Sequence, residues 1–244
     1  MSRKLEADES RRALEELHEQ GWCVLDQVFD ASEGRRAVSL LERVLAPEQR
    51  TILEGYGAKI YTLFARVPEM RAMFVNSALH EFLCVALGSQ PTFPRNGARI
   101  SNVGSIERIP WHHHFGWEAR VLLERERFER LVAICYVHGS DAARGPLVGK
   151  PRGFRTPLQE PPPDALAPFG DERVVEAPPL SAVVMDTAVL HCSLRPTQPL
   201  ARWIWGAHAQ AGDVVRPHAE DERWSMPITE TLRRWERRFR AAGE

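Results

Sequence analysis

The stretch RVVEAPPLSAVVMDTAVLHCSL, residues 173–194, contains two short β-type runs, RVVEAPPLSAVVMD and AVLHCSL. The first run contains four valines and the second contains one, and Pro178 and Pro179 interrupt the first. Short apolar runs broken by proline and polar turn residues are typical of strands in a β-sandwich or barrel. We therefore predict strands here, and we expect His191 to end an apolar strand and precede a polar turn.

The same pattern continues on both sides of this stretch. From about residue 90, further β-type runs are separated by Pro and Gly: ARISNVGSI, WHHHFGW, LVAICYVHG, PLVGKPRGF and ARWIWGAHAQ. Helical patterns occupy the chain before them. This order predicts an antiparallel barrel or sandwich braced by helices. We expect one domain over residues 1–244, with a helical part at about 1–90 and a barrel at about 91–215.

The helical patterns have recognisable ends. They cover residues 8–20, 30 to about 45, 72–87 and about 228–242. Gly21 is suited to end the first helix in a left-handed conformation. Asp30 and Glu33 have the spacing of a capping box at the start of the second. WCVLDQVF, residues 22–29, reads as a strand between these two helices.

Charge and composition exclude several classes of partner. With 32 basic and 33 acidic residues the net charge is −1, which gives no electrostatic basis for binding nucleic acid or an anionic membrane. The N-terminus lacks a signal-peptide pattern, and no apolar run approaches the roughly 20 residues of a membrane span. The four cysteines are scattered, which favours reduced thiols. We expect a cytoplasmic protein that binds a small molecule.

The segment WHHHFGW, residues 111–117, carries three consecutive histidines. In a strand, His112 and His114 share one face while His113 points to the other. A histidine pair at this spacing can hold two positions of one metal ion, and a third ligand must come from elsewhere. His191 is the best candidate for that third ligand.

Other polar residues of the strand region have simpler interpretations. His138 and His208 lie in strand-like runs, where a single histidine usually satisfies local hydrogen bonds. Lys150, Arg152 and Arg155 could meet an anionic group of a substrate, but surface charge explains them more simply.

Five segments together resemble the phytanoyl-CoA dioxygenase family of iron(II)- and 2-oxoglutarate-dependent oxygenases. They are ELHEQGWCVLDQVFDASEG (16–34), WHHH (111–114), DAARGPLVGKPRGFRT (141–156), LSAVVMDTAVLHCS (180–193) and ARWIW (201–205), and their order matches the family. The resemblance covers nearly the whole chain. It implies a mainly β fold with flanking helices, a double-stranded β-helix of the jelly-roll or cupin-like type.

The resemblance also implies roles for individual residues. His112 and His191 match two iron ligands. Arg202, eleven residues after His191, matches the arginine that binds the distal carboxylate of 2-oxoglutarate, and a guanidinium suits that role because it can bind a carboxylate in a bidentate manner. Asn102 matches a polar position that helps to hold the co-substrate.

One departure from the family pattern leaves the third ligand open. Where the family has an aspartate this chain has His114, so the two-histidine, one-carboxylate triad is not intact. In one reading His114 replaces the carboxylate and iron still binds. In a second, Glu118 supplies the carboxylate after a turn in the chain. In a third, iron is lost and the fold survives as a binding module or a non-redox enzyme.

The implied activity is oxidation of a small, partly apolar metabolite, with hydroxylation as the default outcome and secondary metabolism as the setting. Iron(II), 2-oxoglutarate and O2 would be required. The rivals are a three-histidine metal enzyme that does not use 2-oxoglutarate and a non-catalytic or non-redox member of the fold. The proline-rich loop 159–172 either covers the barrel mouth or forms a solvated turn. Four tryptophans either line a bulky binding site or pack the core: Trp111, Trp117, Trp203 and Trp205.

Overall fold

The architecture is defined by a computed structural model that describes residues 4–45, 51–53, 57–101, 109–114, 120–164 and 167–214. The described helices are α1 (Ala7–Gln20), α2 (Ala31–Val44), α3 (Leu63–Arg66), α4 (Pro68–Val75), α5 (Ala78–Leu87) and α6 (Arg120–Glu124). The described strands are β1 (Trp22–Leu25), β2 (Thr51–Leu53), β3 (Gly57–Tyr61), β4 (Pro91–Ser101), β5 (Ile109–His112), β6 (Arg130–Tyr136), β7 (Leu147–Gly149), β8 (Arg173–Val175), β9 (Ser181–Asp186), β10 (His191–Ser193) and β11 (Arg202–Ala211).

The strands form two antiparallel sheets. The larger has seven strands in the order β1-β9-β6-β11-β4-β3-β2, and the smaller has four in the order β5-β10-β7-β8. Many of the strands that pair in these sheets are not consecutive in the chain, and most of the helices precede β4 in the sequence. These features confirm the prediction of a mainly β, jelly-roll fold with flanking helices. Every β-type run after residue 90 contains a strand.

Side-chain alternation on the larger sheet separates two apolar layers. Odd-numbered residues of β11, such as Trp205 and Ala207, pack with the helices in the principal core. Ile204 lies on the opposite face and packs with residues of the smaller sheet, including Leu147 and Val175. We call the space between the two sheets the barrel interior. Because alternate residues of a strand point to opposite faces, even-numbered residues of β11 from Arg202 to His208 face it.

The tryptophan positions favour core packing over a binding site. Trp205 contacts the rings of Phe29 and Phe74, with centroids 5.2 and 5.8 Å away, so it lies on the helix side of the sheet. Trp111 packs on the outer face of the smaller sheet, against Phe169. Trp203 also contacts the principal core. Trp117 lies outside the described residues.

The first two helices have the predicted ends. Gly21 follows α1 with a φ of 89°, and its N–H donates to the Leu17 carbonyl oxygen. At the start of α2 the Asp30 side chain accepts from the backbone N–H groups of Ser32 and Glu33, and the Glu33 side chain accepts from the Asp30 N–H. Both the glycine cap and the capping box are confirmed.

Three predicted boundaries were wrong. The helix expected over 72–87 is two helices, because Ser77 accepts from the His80 N–H and begins α5 anew. The strand expected over 22–29 ends at Leu25. His191 begins β10 rather than ending a strand. The strands β2 and β3 were not predicted, and the helix predicted at about 228–242 lies outside the described residues.

No single described helix is long and apolar enough to cross a membrane, although α4 and α5 pass that test when taken together as a bent pair. Their apolar side chains Met70, Phe74, Leu79 and Leu83 are buried in the principal core.

Candidate metal centre

Three histidines converge in the barrel interior. One ligand-type nitrogen from each of His112, His114 and His191 lies within 4.8 Å of the other two. The ring centroids of His112 and His191 are 4.2 Å apart, and that of His114 lies 5.1 and 4.9 Å from them. Nitrogens bound about 2.1 Å from one ion lie roughly 3 Å apart at adjacent positions, so small side-chain rotations bring the three rings onto a common ion.

The pairing of two short strands places His112 opposite His191. These residues are direct partners in the antiparallel ladder between β5 and β10. Directly opposed residues project their side chains from the same face of a sheet. The register shifts after His191, between it and Ser193, so the irregularity borders the histidine pair.

Hydrogen bonds orient these two rings in the same way. The Nδ1–H of His112 donates to the Pro110 carbonyl oxygen at 2.8 Å, and the Nδ1–H of His191 donates to the Val189 carbonyl oxygen at 3.0 Å. A histidine whose Nδ1 carries the proton in a backbone hydrogen bond presents Nε2 as an unprotonated ligand. Both rings therefore have the tautomer that a metal requires.

His114 reaches the cluster by a different route from the one predicted. β5 ends at His112, so His114 is not held by strand pairing. Its backbone N–H instead donates to the Thr187 carbonyl oxygen at 2.8 Å, in the turn between β9 and β10. The turn that precedes His191 thus also positions His114.

Burial keeps the cluster uncharged. Desolvation, and next the proximity of His191, hold the pKa values of His112 and His114 well below the usual value. Desolvation lowers the pKa of His191 to about 4. Neutral imidazole is the form that binds a metal, so the three rings are ready to act as ligands at neutral pH.

A fourth histidine belongs to this region, and the sequence interpretation missed it. His208 on β11 is buried, and its ring centroid lies 4.9 Å from that of His114. Strand alternation directs it into the barrel interior, which the sequence pattern could have indicated. Nothing in the sequence indicated that β11 lies opposite His114. His138, in contrast, is exposed.

Arg202 is buried on the interior side of the larger sheet, with 4% of its surface exposed. Its guanidinium donates to the Gly145 carbonyl oxygen. Burial lowers the pKa of Arg202, and the proximity of Tyr136 raises it. The other two expected site residues, Asn102 and Glu118, lie outside the described residues.

Behind the cluster, Asp186 joins two buried arginines. Its carboxylate accepts from Arg125 at 2.6 Å and from Arg152 at 2.8 Å, and all three side chains are almost fully buried. Asp186 also accepts from the Ala188 N–H. The group therefore holds the turn that carries Thr187 and leads to His191.

This network corrects the surface-charge interpretation for Arg152, whereas Arg155 is exposed as expected. Arg152 is 3% exposed and is bound to Asp186. The ammonium of Lys150 contacts the exposed Asp171, and Arg155 donates through Nε to the Arg125 carbonyl oxygen. A local sequence pattern could not reveal these partners because each lies far along the chain.

The segment 159–172 has no regular secondary structure where it is described. It lies against the outer face of the smaller sheet, where the Trp111 Nε1–H donates to the Ala167 carbonyl oxygen at 2.9 Å. Phe169 packs edge-on against the Trp111 ring, with centroids 5.0 Å apart. The segment thus supports the residue that precedes His112.

Solved structures share this architecture. The carbocyclase SnoK from nogalamycin biosynthesis, described as non-heme and alpha-ketoglutarate dependent, aligns with a TM-score of 0.70 over 88% of this chain and 89% of its own, at 18% identity. HygX from Streptomyces hygroscopicus, with nickel, 2-oxoglutarate and hygromycin B bound, gives 0.68 over 83% and 88% at 13% identity. EctD from S. alaskensis, with 2-oxoglutarate and 5-hydroxyectoine, gives 0.65 over 85% and 76% at 16% identity.

The low identities limit these likenesses to the fold, since function resides in the site rather than in the architecture. No protein-family model matches the chain, and no curated protein matches its sequence. The chain therefore has the double-stranded β-helix fold found in non-haem, 2-oxoglutarate-dependent enzymes.

The donor set suits a divalent transition metal. Imidazole nitrogens are good ligands for iron, nickel, copper and zinc. The metal-capable group among the described residues contains three histidines and no carboxylate. Three neutral ligands leave the full charge of a divalent ion uncompensated, which favours anionic ligands at its remaining positions.

Proposed function

We propose that this protein is a non-haem iron oxygenase of the phytanoyl-CoA dioxygenase type. It would use O2 and 2-oxoglutarate to oxidise, by default hydroxylate, a small and partly apolar metabolite of secondary metabolism. The observation that carries the proposal is the convergence of His112, His114 and His191 inside a double-stranded β-helix. The likeness in fold to SnoK, HygX and EctD supports it.

We assign His112, His114 and His191 as the ligands of iron(II). Bound iron would supply the oxidising chemistry with O2, coupled to conversion of 2-oxoglutarate to succinate and carbon dioxide. The backbone carbonyls of Pro110 and Val189 hold the rings of His112 and His191 in the ligating tautomer. The chain would thereby supply three nitrogen ligands, and the remaining positions of the metal would be available to exogenous ligands.

Arg202 is assigned to the distal carboxylate of 2-oxoglutarate. Its burial on the interior side of β11 supports this role, because a guanidinium removed from water is favourable only where it meets acceptors or an anion. Asn102 is a second proposed contact to the co-substrate. We further propose that the helices and barrel act as one domain in the cytoplasm.

The proposal is tested by anaerobic reconstitution with iron(II), followed by assay of succinate with and without O2. We expect one equivalent of iron per chain and succinate formation that depends on 2-oxoglutarate. His114→Asp restores the family's carboxylate, and we expect this variant to bind iron and to keep or raise the activity. Failure of the wild-type protein to retain any transition metal would contradict the proposal.

Among the residues that the structure describes, the three-histidine group contains no carboxylate, and this favours one alternative function. In a three-histidine metal enzyme that does not use 2-oxoglutarate, the substrate itself would bind the metal and Arg202 would hold the substrate's carboxylate. Tight iron binding without 2-oxoglutarate binding, measured by calorimetry on the same preparation, would identify this alternative.

A further inference from the structure

We propose that the barrel interior contains an anion-binding subsite formed by Lys59, Arg95 and Arg99, and that the substrate presents a carboxylate, phosphate or sulfate group to it. The inference rests on the proposed function, because it assigns the group that the substrate places beside the metal centre. It adds a ligand class that the three histidines do not indicate.

Strand register puts these basic residues on one face of the larger sheet. Arg95 is the direct partner of His208 across β4 and β11, and Arg99 is the partner of Ile204. Lys59 is the partner of Arg99 across β3 and β4. Ile204 packs toward the smaller sheet, and directly opposed residues share a face. The three basic side chains therefore project into the barrel interior.

The same face lies beside the histidine cluster. His208, the strand partner of Arg95, has its ring 4.9 Å from that of His114. Arg95 is therefore one strand partner away from a residue that contacts a proposed ligand.

Like charges are held together at this position. Burial lowers the pKa of Lys59 well below its usual value, and the positive charges of Arg95 and Arg99 lower it further. All three side chains are half-buried, so water screens their repulsion incompletely. They also interact with other groups of the protein, and an anion among them would reduce the remaining repulsion.

Tyr61 extends the subsite with a neutral hydrogen-bond donor. The Lys59 ammonium lies 4.6 Å from the centroid of its ring. Burial raises the pKa of Tyr61 to about 12, so the phenol keeps its proton at neutral pH. A phenolic O–H beside cationic groups suits the oxygen atoms of an anion.

Two glycines allow the strands to approach closely beside this group. Gly97 and Gly206 are direct partners across β4 and β11, between the row of Arg95 and the row of Arg99. Neither contributes a side chain, and a Cβ added at Gly97 would lie 2.6 Å from the Ile60 carbonyl oxygen. The close approach of the strands requires glycine at this position.

The charges of the proposed complex also favour an anionic substrate. A divalent metal on three neutral imidazoles carries two positive charges, and 2-oxoglutarate supplies two negative charges. If Arg202 accepts one end of 2-oxoglutarate, Arg95 and Arg99 are not needed for that charge balance; they lie on the interior face of the sheet and also interact with other groups of the protein. An anionic group on the substrate is the complementary ligand.

The test is calorimetric titration with inorganic phosphate at low ionic strength, on metal-free protein and on protein loaded with nickel(II) and 2-oxoglutarate. We expect one phosphate site in the loaded protein. Arg99→Gln should weaken phosphate binding about tenfold or more, as expected for loss of a charged hydrogen bond. Arg99→Lys, which keeps the charge, should retain part of the affinity. Arg11→Gln, on an exposed face of α1, is the matched control and should not change it.

Two results would overturn the subsite. One is no phosphate binding, or binding that Arg99→Gln leaves unchanged while circular dichroism shows a folded variant. The other is competition between phosphate and 2-oxoglutarate, with Arg99→Gln weakening 2-oxoglutarate, which would assign the basic group to the co-substrate. If phosphate binds through Arg99 but nickel and 2-oxoglutarate do not bind, the proposed function fails and the anion site stands.

Discussion

His191 and His112 are direct partners across two antiparallel strands, and each donates its Nδ1–H to the carbonyl oxygen two residues before it. The two halves of the site thus repeat one local arrangement. A backbone acceptor fixes each ring, and the strand pairing sets the distance between them. Metal binding to this pair therefore requires little reorganisation of the chain.

Replacing His191 by glutamine should remove metal binding. The substitution deletes the ligand that faces His112, and we expect the affinity for nickel(II) to fall by about 100-fold or more, since changes even outside the ligand set cost 10–100-fold. Calorimetry or competition with a chelating dye measures the change. His138→Gln, at an exposed histidine, is the control. Equal losses in both variants would contradict a specific site.

Replacing Arg202 by lysine should weaken 2-oxoglutarate binding by about tenfold or more, because a point charge replaces a bidentate guanidinium. The measurement is calorimetric titration of nickel-loaded protein with 2-oxoglutarate. Arg173→Lys, at an exposed residue of β8, should leave the affinity unchanged. Unaltered binding in Arg202→Lys would favour a purely structural role beside Gly145.

Asp186→Asn should strongly destabilise the fold. The substitution leaves the buried guanidinium groups of Arg125 and Arg152 without their carboxylate, and breaking a buried ion pair costs about 3–5 kcal/mol. Urea denaturation measures the free energy of unfolding. Asp171→Asn removes an exposed partner of Lys150 and should cost less than about 1 kcal/mol. Similar values for both variants would show that the buried network contributes little.

The metal-free protein should lose stability as the pH falls below about 6.5. The pKa of His191 is lowered to about 4 in the folded state, whereas an unfolded histidine titrates near 6.5. The unfolded chain then binds more protons than the folded chain, so the free energy of unfolding falls between these two pH values. The loss from His191 is on the order of 3 kcal/mol.

Urea denaturation between pH 4 and pH 7.5 checks this dependence. His191→Gln lacks the titrating group and should show a shallower pH profile. A profile identical to that of the unsubstituted protein would assign the pH dependence to other groups.

Local patterns predicted a large part of the fold. The capping box at Asp30, the glycine end of α1 at Gly21 and the β-type runs after residue 90 depend on interactions within a few residues, and the structure has them. The break at Ser77 was missed because its apolar neighbours continue the helical pattern across it. The strand β3 was missed because its partner β4 lies far along the chain, and β2 was missed with it because β2 pairs with β3.

The sequence by itself determined which residues could serve the site: an i, i+2 histidine pair, a later histidine and an arginine eleven residues beyond it. Only the tertiary structure decided that His112 faces His191, that His208 reaches His114, and that Arg95 and Arg99 face the same interior. The reason is physical. Alternation along a strand specifies which side chains share a face. Which residues that face contacts depends on strand pairing and sheet packing, and these join residues that are distant in the chain.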